Sequence, residues 1–327
     1  METLSYCLVG YGGIAEFHAE ACAQIDGVHP RTVMGRRAEA TREFAERHGF
    51  ERSTTDLDEA LDDDELDTVI IASPSEVHYD QALACLDAGK HVLVEIPLAL
   101  SLTQAQVIAD RAREVERNVM VAHTRRFDDV GRFVQGFLRS GEAGRIYQQQ
   151  SYSFTFRHEN VGWTGYRRSW VDDVVFHHGC HLVDFSLWTI DAPVRRVRGE
   201  LAPKMELNDT CMDVSLVLRF DNEAMATISL SYNAPQGGSG NRYICEKGVL
   251  EVAGASVQFG GETVFETPQN PESGVLVQNR EFFDAIRAGR QPSCNADDGV
   301  RALTPLQAVY EQMLELEGDE KYRRRWQ

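Results

Sequence analysis

Residues 4–15 read LSYCLVGYGGIA: a short apolar run, a turn broken by glycines, then the spacing of a helix that continues to about Ile25. The run is a strand candidate, so Gly10, Gly12 and Ala15 occupy the fixed positions of a G-x-G-x-x-G/A turn between a strand and a helix. Each position has a physical reason. The first glycine permits the tight turn, the second lets the backbone approach a ligand, and a small third residue lets the helix pack closely on its strand. The helix N-terminus presents unpaired N–H groups and the positive end of its dipole, a setting that suits a pyrophosphate. On this reading Gly10, Tyr11, Gly12, Gly13 and Ile14 hold a dinucleotide.

The alternation continues. Residues 32–34, 68–73, 91–95 and 119–123 read as short strands, and 37–48, 77–88 and 102–115 as helices between them. Strands alternating with helices of this length predict a Rossmann-type, doubly wound parallel sheet over 1–123. The pattern then changes. A helix is expected over 129–139, a half-exposed strand over 147–156 and a helix over 173–190. Strands follow in succession over 194–201, 211–220, 224–232, 241–246 and 249–259, and helices near 276–288 and 299–316 close the chain. Adjacent strands predict an α+β domain with an open, mainly antiparallel sheet over 124–327. A length of 327 residues suits two domains.

The end of the second strand bears on the cofactor. An NAD site usually carries Asp or Glu there, for the ribose hydroxyl. Here the strand ends VMGRR: Gly35 stands where the acid is expected, and Arg36 and Arg37 follow. Guanidinium groups without a carboxylate favour a 2′-phosphate, so NADP is the expected cofactor and NAD the alternative.

A net charge of −18 repels nucleic acid and anionic membrane, yet local arginine clusters can still hold a small anion. The seven cysteines form no C-x-x-C, and several sit in apolar runs as small core residues would. With neither a signal-peptide pattern nor an apolar run of membrane-spanning length, a cytoplasmic protein is expected.

Three segments carry a family resemblance. ASPSEVHYDQALACLDAGKHVLVEIPLA (72–99), GCHLVD (179–184) and REFFDAIRAGRQP (280–292) resemble the Gfo/Idh/MocA oxidoreductases, and the likeness spans nearly the whole chain. It implies nicotinamide-dependent hydride transfer, a substrate held between the two domains, and a homodimer or homotetramer built on the open sheet. It adds Ser73, Pro74, His78 and Glu95 to the cofactor residues, and Glu95 and Pro97 to the substrate residues. It also exposes departures. The lysine of the family's Glu-Lys-Pro is Ile96, and the aspartate four residues before the family histidine is His177, so only His181 of that set remains. Five segments, VEIPLA, HTRRF, RSW, the double histidine and RYIC, resemble one branch of the family. That branch oxidises a carboxylated ring hemiacetal to a pyrone, with NADP, in the breakdown of aromatic acids.

The chemistry suits the residues. Carboxylates on the substrate call for cations, and Arg125, Arg126, Arg168 and Arg242 with Tyr243 are the candidates. Arg125 and Arg126 directly follow the last strand of the parallel sheet, outside whose edge ligands bind. A hemiacetal hydroxyl is more acidic than a simple alcohol, so a histidine can serve as its base. In SWVDDVVFHHGCHLVD (169–184), helical spacing puts His177, His181 and Asp184 on one face with His178 beside His181. One of the three histidines, His181 first among them, is expected to take the proton, and Asp184 to help bind substrate. No metal is expected, although His177 and His181 with Asp173 or Asp184 form a conceivable zinc set. Two other readings stand beside this one: a sugar or polyol dehydrogenase, and a non-catalytic NADP sensor.

Overall fold

The computed structural model describes residues 2–161, 165, 167, 169–170 and 173–322. The first stretch alternates as expected: β1 (Leu4–Val9), α1 (Gly13–Cys22), β2 (Val28–Met34), α2 (Ala38–His48), β3 (Arg52–Thr54), α3 (Leu57–Leu61), β4 (Thr68–Ile71), α4 (His78–Asp87), β5 (His91–Val94), α5 (Leu102–Glu114) and β6 (Val119–Val121). The six strands form one parallel sheet in the order β3-β2-β1-β4-β5-β6. β1, β4 and β5 are buried almost throughout, as strands covered on both faces must be. The order reverses between β1 and β4, where a doubly wound sheet opens a crevice at its carboxyl edge. The short β3 and α3 are too polar to be legible in the sequence.

The chain continues with α6 (Asp129–Arg139), β7 (Ile146–Phe156), a π-helical turn at Val175–Gly179 that runs into α7 (Cys180–Ile190), then β8 (Val194–Leu201), β9 (Asp213–Phe220), β10 (Met225–Ser231), β11 (Asn233–Cys245), β12 (Gly248–Ala253), β13 (Ser256–Phe259) and β14 (Glu262–Glu266). These strands make an eight-stranded sheet, β14-β13-β12-β11-β7-β10-β9-β8, antiparallel except where β7 meets β10. One face is covered: Val134 and Leu138 of α6 and Phe185 of α7 pack on Tyr243, Cys245, Leu250 and Val257. Three helices follow, α8 (Gly274–Arg287), α9 (Ala296–Glu317) and the short α10 (Asp319–Tyr322).

Two compact units result, and the single cut expected after residue 123 needs correction. The first unit runs to Thr124 and also takes Ser273–Val300, which holds α8 and the start of α9; the second takes Arg125–Asn160, Ser169–Glu272 and the chain from Arg301. The reason is packing within the first unit: Phe283 of α8 meets Tyr6 of β1 edge-on, and Asn279 bonds His18 of α1.

Among the described residues, all seven cysteines are free and buried, and no helix is long and apolar enough to cross a membrane. Burial pushes the thiols of Cys7 and Cys22 up to about 12, so they behave as small apolar residues.

Candidate functional site

The first unit gathers its candidates at the carboxyl edge of the parallel sheet. Gly10 has φ +117°, and a Cβ there would lie 2.6 Å from the carbonyl oxygen of Ala72, so the β1 and β4 ends meet too closely for any side chain. Gly12 caps α1 without a side-chain bond, and a Cβ built on it meets nothing within 4 Å. The helix N-terminus therefore faces open space with its N–H groups available, while Ala15 is fully buried against the sheet. These features fit a dinucleotide pyrophosphate.

At the end of β2, a Cβ on Gly35 would fall 2.3 Å from the Tyr11 ring, so no acidic side chain fits beside Tyr11 as it stands. Arg36 and Arg37 are both exposed. The Nε of Arg37 donates to the Tyr11 hydroxyl at 3.1 Å, and its guanidinium lies 5.7 Å from the ring centre. That bond raises the arginine's pKa further.

After β4, Ser73 donates to Gln81 at 2.6 Å. His78 is buried, with Nδ1 2.8 Å from the Pro97 carbonyl and Nε2 2.9 Å from the Ser73 carbonyl. It ties the Ser73–Pro74 and Glu95–Pro97 loops together. Pro97 is itself buried. Glu95 is held by a residue that sequence reasoning missed: the Nε2 of His18, fully buried on α1, lies 2.9 Å from its carboxylate, and the His18 Nδ1 lies 3.1 Å from Asn279. The available signal is a lone histidine on the apolar face of α1. Its partners, so distant in sequence, cannot be read from it.

The second unit gathers the histidines. From Asp173 to Ser186 every residue is buried except His177, His178 and His181. An element that buries its neighbours and shows three imidazoles is built to present them. Just before the π-turn stands Asp173, whose carboxylate accepts from the N–H groups of Val175 and Phe176, both at 3.0 Å, and from the Tyr310 hydroxyl. His177 and His178 pack edge to face, with ring centres 4.9 Å apart, and His178 meets Tyr232 in the same way.

Two expectations are corrected here. Asp184 does not share the exposed face with His177 and His181. It is buried, and Arg126 clamps it, Nε to Oδ2 at 2.9 Å and Nη2 to Oδ1 at 2.5 Å. Asp184 is drawn inward by this buried pairing; the π-turn, which ends at Gly179, rotates His177 by about 100° relative to the helix after it and leaves the spacing of His181 and Asp184 regular. Asp184 and Arg126 thus pair with each other in a buried setting. Tyr243 and Arg242, grouped by the sequence, are separated by the pleat. Tyr243 points into the core, where its hydroxyl pairs with Thr189 at 2.9 Å and Gln149 at 3.2 Å. Arg242 is exposed on the other face and paired with Glu251.

Arg125 differs from its neighbour. No hydrogen bond ties its guanidinium to any described residue, and burial lowers its pKa against the opposing pull of Asp128 and Cys180. Cys180 is the residue before His181, so Arg125 lies within electrostatic reach of the histidine element. Asp128 is engaged elsewhere, capping α6 through the N–H of Gly131 at 2.5 Å. Arg168 lies outside the described residues. Among those described, no three His, Cys, Asp or Glu side chains are grouped to hold a metal ion.

Comparison with known proteins agrees with this geometry. Residues 4–123 match an oxidoreductase family with an NAD-binding Rossmann fold, Gfo/Idh/MocA, and 131–264 match a bacterial oxidoreductase C-terminal domain. The chain is 36% identical to 4-carboxy-2-hydroxymuconate-6-semialdehyde dehydrogenase of Sphingobium sp. strain SYK-6, over 88% of this chain and 91% of that one. It is 24% identical to myo-inositol 2-dehydrogenase of Thermotoga maritima, over 90% and 92%. Among solved structures, levoglucosan dehydrogenase with NADH and L-sorbose superposes with a TM-score of 0.86 at 20% identity, covering 96% and 98%. GenD2 from gentamicin A biosynthesis, in complex with NAD, gives 0.83 at 25% identity, covering 97% and 96%. The chain belongs to the Gfo/Idh/MocA family and is one of its NAD(P)-dependent dehydrogenases.

Proposed function

We propose that the protein oxidises a carboxylated ring hemiacetal, that of 4-carboxy-2-hydroxymuconate-6-semialdehyde or a close analogue, to the corresponding pyrone, with NADP as its preferred cofactor. The observation that carries this reading is the contrast between two adjacent arginines. Arg126 is neutralised by Asp184, whereas Arg125 is a largely enclosed cation with no hydrogen-bonded partner among the described residues, beside the histidine element. An enclosed guanidinium of that kind suits a carboxylate, which it grips with two parallel hydrogen bonds. A neutral sugar or polyol gives it nothing to neutralise. Ile96 supplies no ammonium group for a sugar hydroxyl either.

The nicotinamide, when bound, accepts the hydride from the hemiacetal carbon. The chain's own residues do the rest. Arg125 binds and orients a substrate carboxylate. A ring nitrogen of His181 takes the hydroxyl proton as that O–H bond breaks and the C=O bond forms; an imidazole is a base matched to neutral pH. Arg36 and Arg37 hold the 2′-phosphate, at an edge where Gly35 and Tyr11 leave no room for an acid. The protein assembles as a homo-oligomer through the sheet face opposite α6 and α7. That face exposes Tyr152 and Phe156 of β7, Val217 of β9 and Val249 of β12.

The test is absorbance at 340 nm with protocatechuate freshly opened by a 4,5-dioxygenase, with NADP⁺ and NAD⁺ in parallel cells. NADPH formation that fails in His181→Ala, and NADP⁺ use that weakens selectively in Arg36→Ala, are the expected results. A wild-type protein that binds NADPH but reduces neither cofactor on this substrate would overturn the assignment. A screen of polyols, sugars and hydroxy acids would then decide between a sugar enzyme and a sensor.

A further inference from the structure

Glu95 follows the last residue of β5, and the protons around it decide what charge it brings there. His18 of α1 and Asn279 of α8 are both fully buried. The His18 Nδ1 lies 3.1 Å from the Asn279 side-chain oxygen, and its Nε2 lies 2.9 Å from Oε1 of Glu95. An amide oxygen can only accept, so Nδ1 carries a hydrogen. The amide is oriented from its other end, where Nδ2 donates to the Cys22 sulfur at 3.4 Å. Burial pushes the Cys22 thiol up to about 12, which keeps that sulfur uncharged.

With Nδ1 protonated, a neutral ring has only a lone pair at Nε2. A lone pair and a carboxylate oxygen repel, yet the two atoms stand at hydrogen-bond distance. One further proton therefore lies between Nε2 and Oε1. It can belong to the ring, as imidazolium beside carboxylate, or to the carboxyl, as an acid beside neutral imidazole. Either way the pair carries no net charge. The other carboxyl oxygen, Oε2, accepts the backbone N–H of Ile96 at 3.3 Å. The titratable groups packed around the histidine add no charge of their own: Cys22, and Tyr6 bonded to it, are kept protonated by burial.

The place gives this a consequence. The N–H of Glu95 donates to the carbonyl of Ile71, the last residue of β4, and the Gly10 turn closes against Ala72, the next residue. Neighbouring strands lie about 4.8 Å apart, so the Glu95 backbone, two strands over, lies about 10 Å from the turn that suits a pyrophosphate. Its side chain is 14% exposed. A bare carboxylate there would oppose a multiply anionic ligand. We propose that His18 is a positioning residue that holds the Glu95 carboxyl in place and cancels its charge, so that the carboxyl edge of the parallel sheet receives an anionic dinucleotide without a repelling carboxylate. Asn279 fixes the ring that does so. The proposal concerns the cofactor and stands whether or not the hemiacetal is the substrate.

Two measurements test it, and neither needs a substrate. Long-range proton–nitrogen NMR of the ¹⁵N-histidine-labelled, ligand-free protein at pH 7 reads the ring itself. The His18 signals are assigned by their loss in His18→Gln, or in His18→Asn if Gln does not fold. The expected ring is protonated at Nδ1, with a second proton in the Nε2 contact; in Glu95→Gln that second proton should be gone and the ring neutral. A wild-type ring protonated at Nε2 alone would leave Glu95 its charge and overturn the proposal. Fluorescence titration with NADPH is the second arm. His18→Gln keeps an N–H for Glu95 but supplies no proton. NADPH should then bind about 3- to 10-fold more weakly at low salt, the scale of one added charge near a multiply charged ligand, and the loss should shrink at high salt. On a Glu95→Gln background the same change should produce no measurable loss. A loss of equal size on both backgrounds, or one indifferent to salt, would reduce His18 to a packing role and end the proposal, as would a His18→Gln protein that binds NADPH like wild type.

Discussion

The turn after β1 and the histidine element are two sites made of different material. The turn offers a ligand backbone: Gly10, Gly12 and the N–H groups that open α1. The histidine element offers side chains, each set by a partner elsewhere in the fold, as His177 is by Arg157 and as Asp184 is by Arg126. A backbone site is broken by adding atoms. A side-chain site is broken by removing a partner. The two regions should therefore fail in different ways, and the predictions begin with the larger failure.

The largest effect is expected at the buried pair under the histidine element. Asp184→Asn keeps the shape of the side chain but removes the charge of the carboxylate that accepts two hydrogen bonds from the Arg126 guanidinium, 6% exposed. Stability should fall by about 3–5 kcal/mol, read by urea unfolding. Arg125→Ala, one residue away, should change stability by less than about 1 kcal/mol and act on substrate KM, because Arg125 has no ion-pair geometry with any described residue to lose. Similar unfolding midpoints for the two variants would erase the distinction between the arginines.

The backbone site comes next. Gly10→Ala forces a Cβ into the Ala72 carbonyl at a φ that other residues rarely adopt, which should cost about 2–3 kcal/mol and weaken NADPH binding as well. Gly12→Ala puts its Cβ into open space at φ −81°, so the melting temperature should hold while NADPH affinity drops. Fluorescence titration and thermal melts of both variants separate the two effects. A Gly12→Ala protein that binds NADPH like wild type would mean that the ligand does not approach that backbone.

This difference in material also explains what the sequence can and cannot reveal. The need for glycine at position 10 is local, a matter of one φ and one missing Cβ, so the motif and the parallel sheet around it are legible. The second sheet is legible as a run of strands, although β14 and the true length of β11 are not, since strand ends depend on neighbours. Asp184 misleads because its spacing does not announce the buried Arg126 that draws it inward, and nothing in VVFHHGC announces the π-turn that turns His177 relative to it. Arg125 and Arg126 look alike because only the fold brings Asp184 to one of them. Likewise α8 is expected in the second domain because its sequence shows an apolar face and not its packing partner.

The smallest effect sharpens the comparison by asking whether acid loosens the backbone scaffold on its own. His91 opens β5, the strand that leads into Glu95. Its Nδ1 accepts from the N–H of Asn118 at 2.9 Å, a bond that needs a neutral ring, and Asn118 in turn holds the Arg290 carbonyl. Burial, with Arg117 nearby, pulls the pKa of His91 from 6.5 down to about 4. Between those two pH values the unfolded chain carries a proton on this residue and the folded chain does not. Lowering the pH through that window therefore favours unfolding, and below about 4 the penalty stops growing. His91 keeps partial contact with solvent, so screening trims the full linkage value to about 1–2 kcal/mol. Urea unfolding of wild type and His91→Asn at pH 7 and pH 4.5 measures it: wild type should lose more stability than the variant on acidification, by roughly that amount. Equal losses would show that the acid sensitivity lies in other groups and that the β5–β6 edge is indifferent to His91.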